Sequence, residues 1–441
     1  MTSAVRRAGA FAALCTLSLV VPLLGPEVAA PVAAVVLLAA FAVTDGPLFD
    51  LLAYPGDYED QRLYGLITFV LAAALLGALA VMSSMSVAIF VGTVLLVGYG
   101  NLAEQLVRLR TDDSTVLVAA FCVTGAAAAI AGQLVSLTLA GELAHTALPI
   151  LAFLAISGAL LAALLRTVLI LYDAPIVMLS VGLLLWLLAE LEPAVGSLEM
   201  AVALSITIVV GGVSYALGAA SVAGMLTGVL LVLLTIVFGG YDWFAVLLSF
   251  FAIGSLSTKF RYEEKRARGV AEDNDGARGS ANVLGNAAVA LAAVLGYAAS
   301  TADLLAVDAE LFLFAFAGSV ATAMSDTLSS EIGGVFDTPR LITTFEPVEP
   351  GTDGGVTWQG EVAGIAGAIV VAAIAFGFFP EVDAVGALII VAAGFVGMTV
   401  DSLLGATLEG SVLGNQGVNF LATLSGALVC ALLVLSFAVL G

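Results

Sequence analysis

A chain of 441 residues that is 61% hydrophobic and 11% charged cannot be an ordinary soluble globule, which carries about 25% charged side chains. Its mean hydropathy of +1.15 calls for a lipid solvent, and the fold class read from it is an all-α, polytopic transmembrane helical bundle. Thirty-four acids against thirteen bases give a net charge of −21, so nucleic acid is not an expected partner.

Fifteen apolar runs follow in chain order, within a range of 13–15 crossings. They lie at about 10–25, 29–44, 63–82, 85–100, 116–140, 147–172, 174–191, 199–220, 222–239, 242–258, 284–302, 309–325, 361–379, 383–403 and 418–440. Arg6-Arg7 before the first run marks the charged inner end of a membrane helix rather than a twin-arginine signal. With the N-terminus placed in the cytoplasm, every lysine and arginine falls on the cytoplasmic side or at a helix end facing it. Arg166 reaches that side by snorkelling, and the external turns carry acids and no base. This parity puts loops 45–62, 101–115, 259–283, 326–360 and 404–417 on one face and predicts a multi-pass protein of the cell membrane. A composition shift near residue 195, from plain Leu/Ala/Val helices to helix ends bearing glycine, asparagine and acids, predicts two membrane regions, 1–195 and 196–441. Only two of the bases are lysine, and an acid-rich, lysine-poor surface suits concentrated salt, so the expected source is a halophilic archaeon; an acidic protein of an ordinary cell is the alternative. Cys15, Cys122 and Cys430 each sit inside an apolar run without CxxC spacing and read as packing residues. With His145 the only histidine, neither a zinc site nor a Ser-His-Asp arrangement can be assembled.

The polar chemistry concentrates in 259–360. At its centre is Met324-Ser-Asp-Thr-Leu-Ser-Ser-Glu-Ile-Gly-Gly334. Asp326 closes the twelfth run, and if the helix continues, Ser330 shares its face while Ser329, Ser330 and Glu331 stand close by for metal or phosphate oxygens. The flanks of Asp326 are echoed at Thr399-Val-Asp401-Ser-Leu, at the same height on another helix. Two carboxylates at a membrane edge, with a third nearby, form a seat for Mg2+, which favours one or two carboxylates plus phosphate oxygens and water. Either acid alone would be an ordinary helix end. The turn Pro350-Gly-Thr-Asp-Gly-Gly-Val356 can present successive backbone N–H groups of Gly351, Thr352, Asp353, Gly354 and Gly355 to an anion; it has no P-loop lysine and would serve equally as a connector. Arg340 is the one base of loop 326–360, and a phosphate or carboxylate partner explains it better than solubility does. Lys259, Arg261, Lys265, Arg266, Arg268 and Arg278 form a basic segment that topology and anionic lipid alone could require. Lys259 differs, since it ends the tenth run at the bilayer surface and is placed for a lipid-linked or nucleotide phosphate. Asn282 and Asn286, and again Asn415 and Asn419, stand four apart at helix starts. Such amides serve as interhelical contacts or as substrate contacts.

These motifs, in this order, resemble the integral-membrane family called domain of unknown function 92, over about residues 200–441. They are Lys259-Phe260, Asn282-Val-Leu-Gly-Asn286, Ser325-Asp-Thr-Leu-Ser-Ser-Glu-Ile-Gly333, Pro339, Gly351-Thr-Asp-Gly-Gly-Val356 and Asp401-Ser-Leu-Leu-Gly-Ala-Thr-Leu408. That family includes transmembrane protein 19 of animals and the plant phytyl-phosphate kinase of vitamin E synthesis. The resemblance implies a membrane enzyme passing a phosphoryl group from a nucleoside triphosphate, CTP favoured, to an isoprenoid monophosphate such as geranylgeranyl phosphate. In that scheme Asp326, Glu331 and Asp401 hold Mg2+, Lys259 and Arg340 neutralise charge, and Gly351–Gly355 cradle the donor. Asn282, Asn286, Ser329, Ser330 and Asn419 complete the binding set. The layout is also similar, more distantly, to CTP-dependent dolichol kinases and phosphatidate cytidylyltransferases, whose motif reads Ala-Asp-Thr where this chain has Ser325-Asp-Thr. In the first half, Tyr99-Gly-Asn-Leu-Ala-Glu104 with Arg108 resembles the cytidylyltransferase Gly-Asp motif with Asn101 in place of the metal-binding acid, which implies a degenerate copy. The alternatives to a kinase are cytidylyl transfer onto a lipid phosphate, breaking the α–β bond, and a non-enzymatic transporter or flippase. A transporter would carry its charges at mid-membrane; here the polar residues gather at one face.

Overall fold

The structure, a computed structural model, describes residues 3–144, 147–169, 173–218, 220–268 and 279–440. His145 and Arg278 lie outside the described residues. Among the described residues each of the fifteen apolar runs contains helix. Among the described residues thirteen helices are long and apolar enough to cross a membrane, or fourteen if a bent pair is one span. The shortfall from fifteen has two physical sources. The second run breaks by 113° between Pro26–Ala42 and Gly46–Leu52, and the seventh is a shorter apolar helix, Ala174–Glu190.

The chain divides into two compact units, Met1–Val202 and Ala203–Gly441. In the first, Leu76, Leu96, Phe121 and Phe153 are fully enclosed. One of its polar clusters joins two helices. Arg166, from Ala147–Val168, donates to Asn101 Oδ1 (3.2 Å) and Glu104 Oε2 (3.0 Å) on Val87–Val107. Arg108 pairs with the other Glu104 oxygen at 2.6 Å, and Phe121 lies 5.0 Å beneath the Arg166 guanidinium.

In the second unit the helix Ala309–Gly333, which carries Asp326, packs on Tyr241–Thr258, Ser280–Thr301, Trp358–Phe378, Ala384–Leu408 and Asn415–Leu440. Side-chain caps fix where several of these begin. Asp308 accepts from Glu310 N (3.0 Å), Thr357 from Gly360 N (3.1 Å) and Asp383 from Gly386 N (2.8 Å), each satisfying a first-turn N–H with no helical partner. Near one end of the unit, Trp243 packs on Phe316 (4.6 Å between centroids) and Tyr297 (4.8 Å). Asp326 follows Phe316 by ten residues, about 15 Å along the axis, so the polar residues gather towards the opposite end. Hydrophobic transfer gives little driving force between helices in lipid, so close approach does the work. A Cβ on Gly397 or Gly426 would come within 2.2 or 1.9 Å of Thr322 Oγ1, so only glycine lets these two helices close on the Asp326 helix.

The 334–357 segment folds over the polar end. Arg340–Leu341 pairs antiparallel with Gly355–Val356. Gly354, at φ +73°, lies on the Asp401 helix, where a Cβ would meet Ser402 O and Ala406 N at 2.6 Å. Any other residue there would lift the loop from the helix.

Candidate active site

Helix ends of alternating direction converge on a cavity of about 290 Å³. Ala309–Gly333 and Ala384–Leu408 finish there, while Ser280–Thr301, Trp358–Phe378 and Asn415–Leu440 begin there. Both aspartate helices run past their predicted ends, so Asp326 and Asp401 sit about two turns inside a helix instead of capping one. That extension brings them together: the two carboxyl groups lie within hydrogen-bonding reach across the helix pair. Two ionised carboxylates cannot satisfy each other without a proton or a cation between them. Asp401 Oδ1 is shielded from solvent and receives no hydrogen bond from the described residues; the same holds for Asn282 Oδ1.

The cavity wall is chemically one-sided. Five carboxylates line it, Asp326, Glu331, Asp353, Asp401 and Glu409, together with the amides of Asn282, Asn286, Asn415 and Asn419. Hydroxyls of Thr327, Ser329, Ser330, Thr352, Thr357 and Ser402 fill the gaps. No lysine or arginine among the described residues lines it. Burial, and then the Asp353 and Asp326 charges, push the Glu409 carboxyl above its ordinary value. An acid-rich pocket of this kind accepts phosphate only with cations to bridge the like charges.

Several expected positions change. Glu331 is not a third ligand beside the aspartates: it is buried against Lys265, which also donates to the carbonyls of Thr258 (2.7 Å) and Ser257 (3.3 Å). No group of three or more His, Cys, Asp or Glu side chains among the described residues is arranged to hold a metal, which leaves the two aspartates as the carboxylates to weigh against a cation. The pair fits a divalent cation, because the orphaned Asp401 oxygen is the acceptor such an ion needs. Lys259 is exposed and faces a separate apolar groove instead of the carboxylates. Arg340 is exposed as well, and its guanidinium donates to Phe345 O at 2.7 Å, closing its own loop. The glycine turn is already partly engaged with itself. Thr352 N donates to Glu349 O (3.2 Å) and Gly355 N to Thr352 O (2.9 Å), so the N–H groups of 351–355 are not all turned to a ligand. Asn286 Nδ2 bonds to Asn282 O (3.0 Å) on its own helix rather than gluing two helices. Ser330 Oγ donates to Thr327 O at 3.2 Å. Asn282, Asn286, Ser329, Ser330, Gly351, Thr352, Asp353, Gly354, Gly355 and Asn419 all border the cavity.

Two participants were missed in the sequence. Lys265 had a signal, being one of only two lysines in the chain, but within a basic run nothing marks it as the buried one. Glu409 is the residue directly after the helix Ala384–Leu408, in extended conformation, and its place at the cavity is readable only once that helix is known to end there.

Comparisons with known proteins identify relatives of this chain. The chain is 36% identical to an uncharacterized membrane protein of Methanocaldococcus jannaschii over 202 residues, 44% of this chain and 78% of that one. It is 30% identical to the chloroplastic protein VTE6 of Arabidopsis thaliana over 240 residues, 53% of this chain and 71% of that one. Protein PGR of the same plant is 32% identical over 227 residues, 42% of this chain and 79% of that one. No solved structure matches the chain significantly. With the model of the integral membrane protein family DUF92 matching residues 205–427, the chain belongs to that family.

Proposed function

We propose that this chain is a membrane phosphotransferase. It carries the γ-phosphoryl group of a nucleoside triphosphate, CTP favoured, to an isoprenoid monophosphate such as geranylgeranyl phosphate. The observation that carries the reading is the paired Asp326 and Asp401 in a cavity walled further by Glu331, Asp353, Glu409, amides and hydroxyls, with no lysine or arginine among the described residues lining it. Phosphoryl transfer asks a protein for positioning and charge neutralisation more than for covalent chemistry. Mg2+ held by the two aspartates would neutralise the phosphate charge. The amides of Asn282, Asn415 and Asn419 and the hydroxyls of Thr327 and Ser329 orient the phosphates by hydrogen bonds. The Gly351–Gly355 turn, seated on the Asp401 helix, closes one side of the cavity. Lys265 has a positioning role: it holds Glu331, which shares a helix with Asp326. An oxygen of the acceptor monophosphate attacks the γ-phosphorus, the β–γ bridge breaks and the nucleoside diphosphate leaves. At about 290 Å³ the cavity lies near the lower bound for ligand pockets, of a size for the polyphosphate end with the nucleoside reaching outward. The positive-inside argument supports a cytoplasmic location for this face.

The test supplies purified protein with Mg2+, CTP labelled in the γ position and geranylgeranyl phosphate. The reading expects label in a lipid diphosphate, abolished in Asp326→Ala. Label entering lipid only from the α position would mean cytidylyl transfer, and no label from either position would remove the enzyme reading.

A further inference from the structure

A second cavity of about 430 Å³ opens among the helices Val222–Gly239 and Tyr241–Thr258 and the 209–217 stretch. Its walls are apolar, with Val232, Leu248, Phe251 and Leu256 prominent, and among the described residues Lys259 is the only charged side chain lining it. Gly228 lines it too, and a Cβ there would meet nothing within 4 Å, so the groove is open space and not a tight helix contact. The groove is tied to the carboxylate cavity at two points. Val283 lines the groove while Asn282, the preceding residue, lines the cavity. Thr258, just before Lys259, is bonded through Lys265 to Glu331 on the cavity wall.

We infer that this groove holds the hydrocarbon tail of the acceptor lipid, with Lys259 meeting its phosphate. The inference rests on the phosphotransfer reading and names where its lipid lies. The occupant follows from chemistry: apolar walls take an alkyl or isoprenoid chain, and one ammonium group at the rim takes a single anionic head. A diacyl phospholipid of the surrounding membrane needs neither the ammonium group nor a groove whose wall at Val283 adjoins the carboxylate cavity at Asn282. Lys259 is therefore a substrate-binding residue rather than a participant in metal binding.

The experiment uses the full chain in nanodiscs and geranylgeranyl phosphate carrying a diazirine near the tail end. Crosslinked peptides are mapped by mass spectrometry. The expected result is label on Val222–Gly239 and Tyr241–Thr258. In Gly228→Trp, whose indole fills the groove, labelling falls on the order of tenfold because the tail no longer has room there. Lys259→Gln weakens capture of the phosphate probe by roughly tenfold, as for one lost charge-assisted contact, but leaves capture of the geranylgeraniol analogue unchanged. Label elsewhere, equal label from a diazirine phosphatidylglycerol, or insensitivity to both substitutions would overturn the inference. Labelling of the groove in a protein that transfers no phosphoryl group would keep the lipid site and reject the reaction.

Discussion

At the polar cluster of the first unit, Asn101 and Glu104 on one helix receive Arg166 from a neighbour, and the guanidinium answers both acceptors. In the second unit Asp326 and Asp401 also face each other from neighbouring helices, yet no basic side chain reaches them among the described residues, and Asp401 Oδ1 is left without a donor. The first arrangement is self-neutralised. The second is complete only with an added cation or proton, because buried like charges repel strongly at low dielectric. A site that brings its own cation is suited to holding helices together; one that lacks it is suited to capturing a cation with a charged ligand.

The largest effect expected from breaking this contrast comes at the aspartates. Asp326→Asn or Asp401→Asn should lower phosphoryl transfer by about a thousandfold or more, the scale for loss of preorganised electrostatic stabilisation, measured as initial rates with γ-labelled CTP. Next in size is Lys265→Met, which strands Glu331 as a buried unpaired charge. Stability should fall by about 3–5 kcal/mol in detergent unfolding, and pairing it with Glu331→Leu should recover most of that. In the first unit Arg166→Leu removes the donor to Asn101 Oδ1 and Glu104 Oε2, with Arg108 still on the other Glu104 oxygen, and should cost about 1–3 kcal/mol while kcat for transfer stays unchanged. The smallest effect is on pH dependence. The Glu409 carboxyl is raised, so as pH falls it takes up a proton sooner than an ordinary glutamate and competes with a bound cation. Affinity for Mn2+ should therefore strengthen as pH rises through the upper carboxylate range, and Glu409→Gln should flatten that slope in a titration.

Helix number was legible because each crossing is a long apolar run, and lipid allows the backbone few other solutions. The membership of the cavity was legible in Asp326, Asp401 and the paired asparagines, since polar side chains at recurring spacing stand out in so apolar a chain. The cationic partners were not. Lys259, Lys265 and Arg340 are separated by where the 259–268 segment and the 340–356 hairpin fold, and no local pattern encodes that Lys265 turns inward while Arg340 closes its own loop on Phe345. Helix ends misled as well: Ser-Ser-Glu-Ile-Gly and Ser-Leu-Leu-Gly-Ala-Thr-Leu are less apolar than the runs before them, but both continue as helix, carrying the aspartates inside.

The most direct test of the contrast between the two units is Mn2+ binding to the full chain in the presence of CTP, followed by electron paramagnetic resonance. A bound-ion signal that is present in the wild type, absent from the Asp326→Asn/Asp401→Asn double variant and retained in Arg166→Leu is the result predicted. Equal Mn2+ binding by the wild type and the double variant would contradict it.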